Sequence, residues 1–458
     1  MVETVLAGAL ARGAEFAEVF VEDRRGTAAS LDDGRVEELS SGRDRGAGIR
    51  VVVGETTGYA HTADLSEAGL LAAAEAAAAV ARRGAGGTKV VALEPQFPPG
   101  PSPIEIWPEQ VAKATKVELL ERADATARSA GSAVTQVSAH YADGRRRVVV
   151  ANSDGVMVHD DQVRSRFSVS CVAVGDTGMQ TGYDVHGFTV GFEMFDFVDV
   201  DQVAAEAARR ALGKLSARPA PSGELTVVLK AGSGGMLFHE ACGHGLEADH
   251  IVKDASVYVD KVGVPVASGL VTLVDDGTVA RQWGSTAVDD EGRPTQRNVL
   301  IQDGILTDYM WDFLRARKEG RASSANGRRQ SYRHLPMVRM TNTFLLPGQE
   351  DPDEIVAQTA HGVYVAQLGG GQVNTTTGDF VFGTGEAYLI ENGRITEPLR
   401  DCNLIGNGPE ILRRIDAVAG DFGMVAGSCG KDGQSVPVGC GQPTLRVSSI
   451  TVGGTASA

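Results

Sequence analysis

The sequence lacks the features that would place the protein in a membrane, outside the cell or on nucleic acid. Its 458 residues contain no apolar run of transmembrane length. The first residues, Met1-Val-Glu-Thr-Val-Leu6, carry neither the basic stretch nor the apolar core of an export signal. Positive charge is scarce, because 43 Lys and Arg face 59 Asp and Glu, and the net charge of −16 disfavours non-specific binding to nucleic acid or anionic lipid. We therefore expect a cytoplasmic protein with no nucleic-acid or membrane partner.

Cysteine is sparse and irregularly spaced. The chain has five cysteines, namely Cys171, Cys242, Cys402, Cys429 and Cys440. An odd number without an export signal argues against a disulfide framework. Reduced thiols are therefore available as metal ligands. The hydrophobic fraction of 42% and the charged fraction of 22% are those of an ordinary globular protein.

The length and the distribution of proline indicate more than one domain. A chain of 458 residues exceeds a single typical core. The proline-rich stretch at 218–223 predicts a boundary between an N-terminal α/β domain, residues 1–222, and a strand-rich, glycine-rich C-terminal domain, residues 223–458. Six prolines within 84–108 predict an exposed connector that splits the first domain into two subdomains. The expected fold class is therefore α+β.

Periodicity predicts the elements of each half. In the first half, apolar spacing predicts helices at 2–12, 65–83, 109–130 and 201–216, and alternation predicts strands at 18–22, 47–53, 58–61, 134–140, 146–151 and 164–175. The basic cluster Arg145-Arg-Arg147 is interpreted as a solvated hairpin between two of these strands. In the second half the only helices expected are a short one at 236–247 and another at 353–359. Residues 326–343 are expected to be irregular, residues 367–385 to alternate glycine with short strands, and residues 427–443 to form a glycine-rich loop.

The most informative residues are His239-Glu-Ala-Cys-Gly-His244. Two imidazoles beside a carboxylate are what a hydrolytic zinc site requires, because the imidazoles hold the metal and the Glu takes a proton from water. Five residues, however, turn a regular helix by roughly 500°, which leaves the side chains about 140° apart. The helix must therefore be distorted between Glu240 and Gly245 if both imidazoles bind one ion. A π-bulge near Gly243 would achieve this.

The segments around this motif predict how it is mounted and leave its third ligand open. A strand at 224–230, a glycine turn at 231–235 and the motif helix form a rigid unit. A catalytic zinc usually takes three protein ligands. Cys242 is better explained as a packing residue inside the motif. By spacing alone the choice between Cys429 and Glu247 stays open. All the candidates considered are Cys429, Cys402, Cys440, Cys242, Glu247, Asp249 and His250.

Four segments together resemble the TldD/PmbA family of metallopeptidases, on the TldD side. They are HEACGHGLEAD at 239–249, SYRHLP at 331–336, NTTTGDF at 374–380 and CGKDGQ at 429–434. The resemblance covers nearly the whole chain. It implies a zinc peptidase with an HExxxH motif whose third ligand is a cysteine, which maps onto Cys429. It also implies a PmbA/TldE-like partner without the zinc motif, and action on unfolded peptides, including the trimming of peptide precursors.

The sequence is therefore interpreted as a zinc-dependent peptidase. His239, His244 and Cys429 are expected to bind Zn²⁺, and Glu240 is expected to be the general base. The substrate is expected to add as a strand beside residues 369–385, and the chain is expected to work as a dimer with a paralogue or with itself. A peptide-binding regulator with a structural, four-ligand zinc is the alternative. A gyrase-modulating role is a third possibility, and the acidic charge favours an indirect effect through proteolysis.

Overall fold

The computed structural model describes residues 1–81, 92–176, 178–374 and 376–454. The start of the predicted proline-rich connector, residues 84–91, lies outside these ranges. The rest of it contains a three-residue strand and a 3₁₀ turn at Pro108–Gln110. None of the helices in the described ranges combines the length and apolarity needed to cross a membrane.

The first three strands of the chain form one end of a long sheet, and two helices pack on them. Two helices cover strands β1–β3 with alanine, leucine and valine side chains. Strands β1 and β2 form a hairpin whose two turn residues, Asp33 and Gly34, have φ values of 46° and 76°, as a two-residue type I′ turn requires. The elements are α1 (Val2–Leu10), β1 (Phe16–Asp32), β2 (Arg35–Val53), β3 (Thr56–Thr62) and α2 (Glu67–Val80).

The next segment extends the same sheet. Its strands give the order β3-β2-β1-β5-β6-β4, with β7 also paired to β6. Two helices pack their alanine-rich faces on β5–β7. The four predicted helices of the first half are confirmed, with ends shifted by a few residues. The elements are β4 (Glu94–Gln96), α3 (Lys113–Ser129), β5 (Val134–Asn152), β6 (Val156–Gly175), β7 (Gly178–Phe188), a 3₁₀ helix (Phe192–Asp196) and α4 (Val200–Leu215).

The predicted hairpin at Arg145-Arg-Arg147 is wrong. These residues lie in the middle of β5, which joins the two strands predicted at 134–140 and 146–151 into one. Arg146 is held by Glu22 at 2.5 Å and by Asp290 at 2.8 Å. Carboxylates distant in the sequence therefore allow three consecutive arginines in the middle of a strand. The local charge alone would indicate a turn.

The C-terminal part consists of two sheets packed around one core, with the motif helix between them. A six-stranded sheet has the order β12-β11-β10-β15-β22-β21, and an eight-stranded sheet has the order β16-β9-β23-β19-β17-β18-β8, with β20 paired to β23. The helices are α5 (Gly235–Phe238), α6 (Ala248–Ile251), α7 (Phe313–Lys318), α8 (Pro352–Ala357) and α9 (Gly408–Arg414). The strands are β8 (Arg218–Pro219), β9 (Gly223–Leu229), β10 (Leu273–Asp276), β11 (Arg297–Gln302), β12 (Ile305–Leu306), β13 (Gly327–Arg328), β14 (Met337–Val338), β15 (Asn342–Leu345), β16 (His361–Val373), β17 (Asp379–Glu391), β18 (Arg394–Arg400), β19 (Asn403–Asn407), β20 (Ile415–Val418), β21 (Gly423–Lys431), β22 (Gln434–Gln442) and β23 (Leu445–Gly453).

Glycine-rich segments of this part are more regular than predicted. The expected loop at 427–443 is a hairpin of β21 and β22, and the expected short strands at 367–385 belong to two strands of 13 residues each. Helices α7 and α9 were not predicted. Glycine weakens strand propensity, but tertiary packing overrides it here. A Cβ at Gly235, where the motif helix begins, would overlap the backbone of Gly441 in β22. Glycine is therefore present because helix and strand pack closely.

Candidate metal centre

The segment carrying the two histidines is distorted as the five-residue spacing predicts. Strand β9 ends at Leu229, a glycine turn follows, and α5 passes into a π-helix over His239–Gly243 and then a 3₁₀ turn over His244–Leu246. The His244 N–H donates to the His239 carbonyl, five residues earlier. This widened turn brings both imidazoles to one side, with ring centroids 5.2 Å apart and planes at 82°. The predicted distortion is confirmed.

Gly243 matters for packing rather than for the backbone conformation of the turn. Its backbone is ordinary helix, with φ −57° and ψ −49°, so the turn does not need the conformational freedom of glycine. A Cβ at this position would instead overlap the Met340 sulfur, which is buried beside it. The glycine therefore allows the π-helix to pack closely on the segment before β15.

The structure brings Cys429 to the two imidazoles. The Cys429 Sγ lies 3.3 Å from His244 Nε2, and the potential ligand atoms of His239, His244 and Cys429 all lie within 4.8 Å of one another. All three side chains are buried. Cys429 lies in strand β21, so the prediction that it belongs to a glycine-rich loop is wrong. Gly427 and Gly430 of the same strand would accept a Cβ without a severe clash.

The donors fit a metal ion of the zinc type. Both ring nitrogens of His239 are buried without a hydrogen-bond partner among the described residues. A buried polar group left in this way costs about 1–3 kcal/mol, and such orphans call for an explanation such as an ion. Two imidazole nitrogens and one thiolate are ligands that Zn²⁺ prefers, with a fourth position left for water in catalytic sites. This cluster therefore has the composition of a catalytic metal centre.

The electrostatics of the cluster also favour a cation. Burial opposes ionisation of Cys429, but His239 and His244 outweigh it and hold the pKa of the thiol well below its ordinary value. Burial lowers the pKa of His244, yet Glu247 and Cys429 overcome this and raise it to about 10. The thiolate therefore stabilises positive charge on its neighbours. A metal ion supplies that charge in place of protons.

Glu247 lies behind His244 rather than beside the ligand atoms. Its Oε2 accepts a hydrogen bond from His244 Nδ1 at 2.9 Å and another from Lys431 Nζ at 2.9 Å. Because the carboxylate only accepts, Nδ1 carries a hydrogen, and Nε2, which faces Cys429, is the nitrogen that would give up its proton to bind a metal ion. Burial would raise the pKa of Glu247, but His244 and Lys431 lower it to about 2. A carboxylate at this place orients a metal-binding imidazole.

Glu240 is the acidic residue best placed for proton transfer. Its side chain is 33% exposed, and its Oε2 lies 3.7 Å from His244 Nε2. It makes no hydrogen bond within the parts of the chain that the structure describes, so its oxygens are available to water. The cluster thus pairs buried ligand atoms with one accessible carboxylate.

The remaining cysteines are buried and free, and they differ in their distance from the cluster. Burial raises the pKa of Cys242 to about 12 in the core beneath the motif. Cys402 and Cys171 are buried away from the cluster. Cys440 lies in β22, and its interaction with His239, together with that of Cys429, raises the pKa of His239 against the effect of burial. The Cys440 sulfur is not within the group of three ligand atoms.

Comparison with known proteins assigns most of the chain to one family. Residues 222–454 match the PmbA/TldA metallopeptidase C-terminal domain, residues 107–215 the central domain and residues 17–81 domain 1 of the same family. A metalloprotease TldD homolog of Haemophilus influenzae is 42% identical over 456 residues, which cover 97% of this chain and 94% of the homolog. The chain belongs to the TldD/PmbA family of metallopeptidases. It is therefore a peptide hydrolase.

Two solved structures show the same fold as this TldD/PmbA protein. A protein from Thermotoga maritima described as a modulator of DNA gyrase superposes with a TM-score of 0.81 at 20% identity, covering 99% of each chain. TldE from Thermococcus kodakarensis superposes with a TM-score of 0.78 at 20% identity, covering 98% of this chain and 99% of its own. At this identity the likeness concerns the fold alone.

Sequence reasoning missed one residue of the centre in this TldD/PmbA protein. Lys431 Nζ donates to Glu247 at 2.9 Å, to Asp249 at 2.7 Å and to the Val338 carbonyl at 3.2 Å. It therefore neutralises two buried carboxylates and ties β21 to the motif segment. The available signal was its spacing, because residues two apart in a strand face the same side and Lys431 follows Cys429 by two. Reading residues 427–443 as a loop concealed that signal.

Proposed function

We propose that this metallopeptidase depends on zinc and cleaves extended peptides. The observation that supports the metal most strongly is the convergence of His239, His244 and Cys429, with both ring nitrogens of His239 lacking a hydrogen-bond partner among the described residues. His239, His244 and Cys429 would hold the ion. When bound, Zn²⁺ polarises the scissile carbonyl and acidifies a water molecule.

The chain's own residues supply proton transfer and orientation. Glu240, accessible beside His244 Nε2, takes a proton from water on a carboxylate oxygen and later returns it to the leaving amine. Glu247 holds the hydrogen on His244 Nδ1 and so keeps the Nε2 lone pair directed at the ligand cluster. Lys431 keeps Glu247 ionised at the bottom of the site. Three protein ligands beside an accessible Glu240 support a catalytic ion over a structural one with four closed ligands.

The edge of β16 supports binding of the substrate as an added strand. Strand β9 pairs with β16 only over Val363–Val365 and then turns away into the glycine turn before the motif helix. Beyond this point β16 keeps β17 on one side, and the other edge of residues 369–373 has no strand partner within the described residues. Gly370, Gly371 and Gln372 are exposed there.

This edge also leads to the candidate metal centre. The Leu368 N–H donates to Ser233 Oγ at 2.8 Å, and Ser233 lies in the turn that begins the motif helix. The opposite half of the predicted region is less suitable, because Asp379–Gly383 of β17 already pairs with β19, and most of it also with β16. A peptide would therefore continue the sheet where β9 leaves it. Pairing through the main chain accepts many sequences but requires an unfolded chain.

We further propose that the protein works as a dimer in the cytoplasm. The partner would be a PmbA/TldE-like paralogue without the zinc motif, or a second copy of this chain. The family resemblance and the fold shared with TldE support this assembly. A reducing compartment is inferred because Cys429 has to remain a free thiol to hold a metal.

Metal analysis and a Glu240→Gln variant test the proposed function. The purified protein should contain about one zinc per chain and should cleave an unstructured peptide. Glu240→Gln should keep zinc and fold but lose about 10²–10⁴-fold in rate, since a general base contributes that much. Assays are run with and without the paralogue. Cleavage by Glu240→Gln near the wild-type rate would show that Glu240 is not the base.

A further inference from the structure

A second site lies where the N-terminal sheet meets the β21–β22 hairpin. A cavity of about 270 Å³ is lined there by seven arginines and a single carboxylate, Asp290. Strands β1, β5 and β6 contribute one wall, and residues 328–330 with the hairpin contribute the other. His239, Glu240, His244 and Cys429 do not line it. The concentration of arginine is notable because the chain as a whole has a net charge of −16.

Among the lining arginines that are not exposed, Arg164 and Arg328 have no acidic partner within the described residues. Asp290 is already committed, because it pairs with Arg146 at 2.8 Å and accepts the Arg329 N–H at 2.8 Å. Within the described residues, Arg164 and Arg328 donate only to neutral oxygens. These acceptors are the carbonyls of Trp283 and Ser285 and the Gln162 side chain for Arg164, and the carbonyls of Met340 and Pro437 for Arg328.

Other guanidinium groups at the cavity have unused donors. Arg329 is fully buried at its side chain, and its Nε and Nη1 make no hydrogen bond in the described chain. Arg146 has a buried Nη2 without a partner. Arginine donors buried without acceptors are unfavourable. Both residues line the cavity, and the charge of an anion there would offset part of this cost.

The local potential points in the same direction. Burial, followed by repulsion from Arg328 and Arg146, lowers the pKa of Arg164 to about 9. Burial lowers the pKa of Arg328 to about 10, although Asp290 opposes the change. Guanidinium groups ordinarily stay charged well above this range. The cavity therefore holds an excess of positive charge that an anion would relieve.

We propose that this cavity is an oxyanion-binding site, separate from the metal centre. The forked guanidinium groups match the paired oxygens of a carboxylate or a phosphate. The ligand would be either a carboxylate side chain of an acidic peptide segment or a free phosphate-type anion. The cavity volume suits a group of this size and excludes a folded domain.

Calorimetry on the full chain distinguishes the two sources. The Glu240→Gln variant is titrated with inorganic phosphate, with an acetylated and amidated tri-glutamate, and with the matching tri-glutamine, so that hydrolysis does not interfere. Binding of phosphate alone identifies a free anion, and tighter binding of tri-glutamate identifies an acidic peptide. The proposal is overturned if tri-glutamine binds as tightly as tri-glutamate or more tightly, or if neither phosphate nor tri-glutamate binds. This readout does not depend on cleavage, and variants at the cavity distinguish binding there from binding at the metal centre.

A matched pair of variants locates the binding. Ser435 lines the cavity but is exposed, so its replacement spares the core. Ser435→Asp places a carboxylate at the cavity and should weaken anion binding at least about tenfold. Ser435→Asn, similar in shape but neutral, should leave the affinity within about twofold. Arg164→Gln should also weaken binding, with folding checked by circular dichroism. Unchanged affinity in Ser435→Asp and Arg164→Gln would refute the site.

Discussion

Replacing Cys429 by Ser tests the metal centre most directly. The variant exchanges a thiolate 3.3 Å from His244 Nε2 for a neutral hydroxyl, which is a poor zinc ligand. Four-ligand zinc sites bind with about 10–16 kcal/mol, or roughly 2.5–4 kcal/mol per ligand. Loss of one ligand should therefore weaken zinc binding by about 10²–10³-fold. The variant should lose both zinc and peptidase activity.

Glu247→Gln distinguishes between Cys429 and Glu247, the two candidate ligands between which spacing could not choose. Glu247 contacts His244 Nδ1 at 2.9 Å and Lys431 at 2.9 Å but lies behind the imidazole, so it orients a ligand without being one. Loss of such a carboxylate costs about 10–100-fold in metal affinity. Glu247→Gln should therefore still bind zinc at stoichiometric concentration. Cys402→Ser, at a buried thiol outside the ligand group, is the control and should keep zinc.

Zinc stoichiometry and affinity are measured by emission spectroscopy and chelator competition, and the ligand atoms by X-ray absorption. The wild type should show one sulfur neighbour near 2.3 Å. The reasoning would be refuted if X-ray absorption found only nitrogen and oxygen neighbours around the zinc, and if Cys429→Ser kept its full zinc content while Glu247→Gln lost it. That result would make Glu247 the third ligand.

Three further results are expected. Gly243→Ala should lower the free energy of unfolding by about 1–3 kcal/mol in urea, because the new Cβ overlaps Met340 Sδ. In a double variant with Met340→Ala, the loss of unfolding free energy should be smaller than the sum of the losses in the two single variants. Strict additivity would contradict the packing argument. N-methylation along a cleaved peptide should lower kcat/KM at every second backbone position, since alternate amides pair with a strand edge; a helical ligand or a non-alternating pattern would rule out strand addition. Light scattering should show a dimer, and an active monomer at working concentration would count against the proposed assembly.

Several sequence predictions depended only on local physics and agree with the structure. Helices of the first half follow from apolar spacing over many residues, which a strand cannot use. The strand, glycine turn and helix around His239 also formed as expected. The demand for a widened turn followed from the five-residue spacing and the 3.6-residue repeat of a helix. The π-helix over His239–Gly243 meets that demand.

Other predictions failed where distant partners overrode local preference. The triplet Arg145-Arg-Arg147 resembles a turn by charge, but Glu22 and Asp290 neutralise Arg146 inside a strand. The high glycine content of residues 427–443 predicts a loop, but these residues form strands that pair with each other and with β15. The π-bulge expected near Gly243 is present, but the contact that requires glycine there, with Met340, was not foreseen. None of these partners can be identified from neighbouring residues.

The motif and its distortion were determined by the sequence alone, because the identity and spacing of His239, Glu240 and His244 carry that information within six residues. The family resemblance rests on four segments along the chain and pointed to Cys429. Which side chain lies beside the imidazoles is shown only by the tertiary structure. Cys429 and Glu247 were equally open by spacing, since one lies far along the chain and the other one turn away. Pairing of β21 with β22 directs Cys429 to His244 Nε2, while Lys431 and His244 Nδ1 hold Glu247 behind the ring. The physical reason is that a strand partner and a buried ion pair set where a side chain points, and both partners come from elsewhere in the chain.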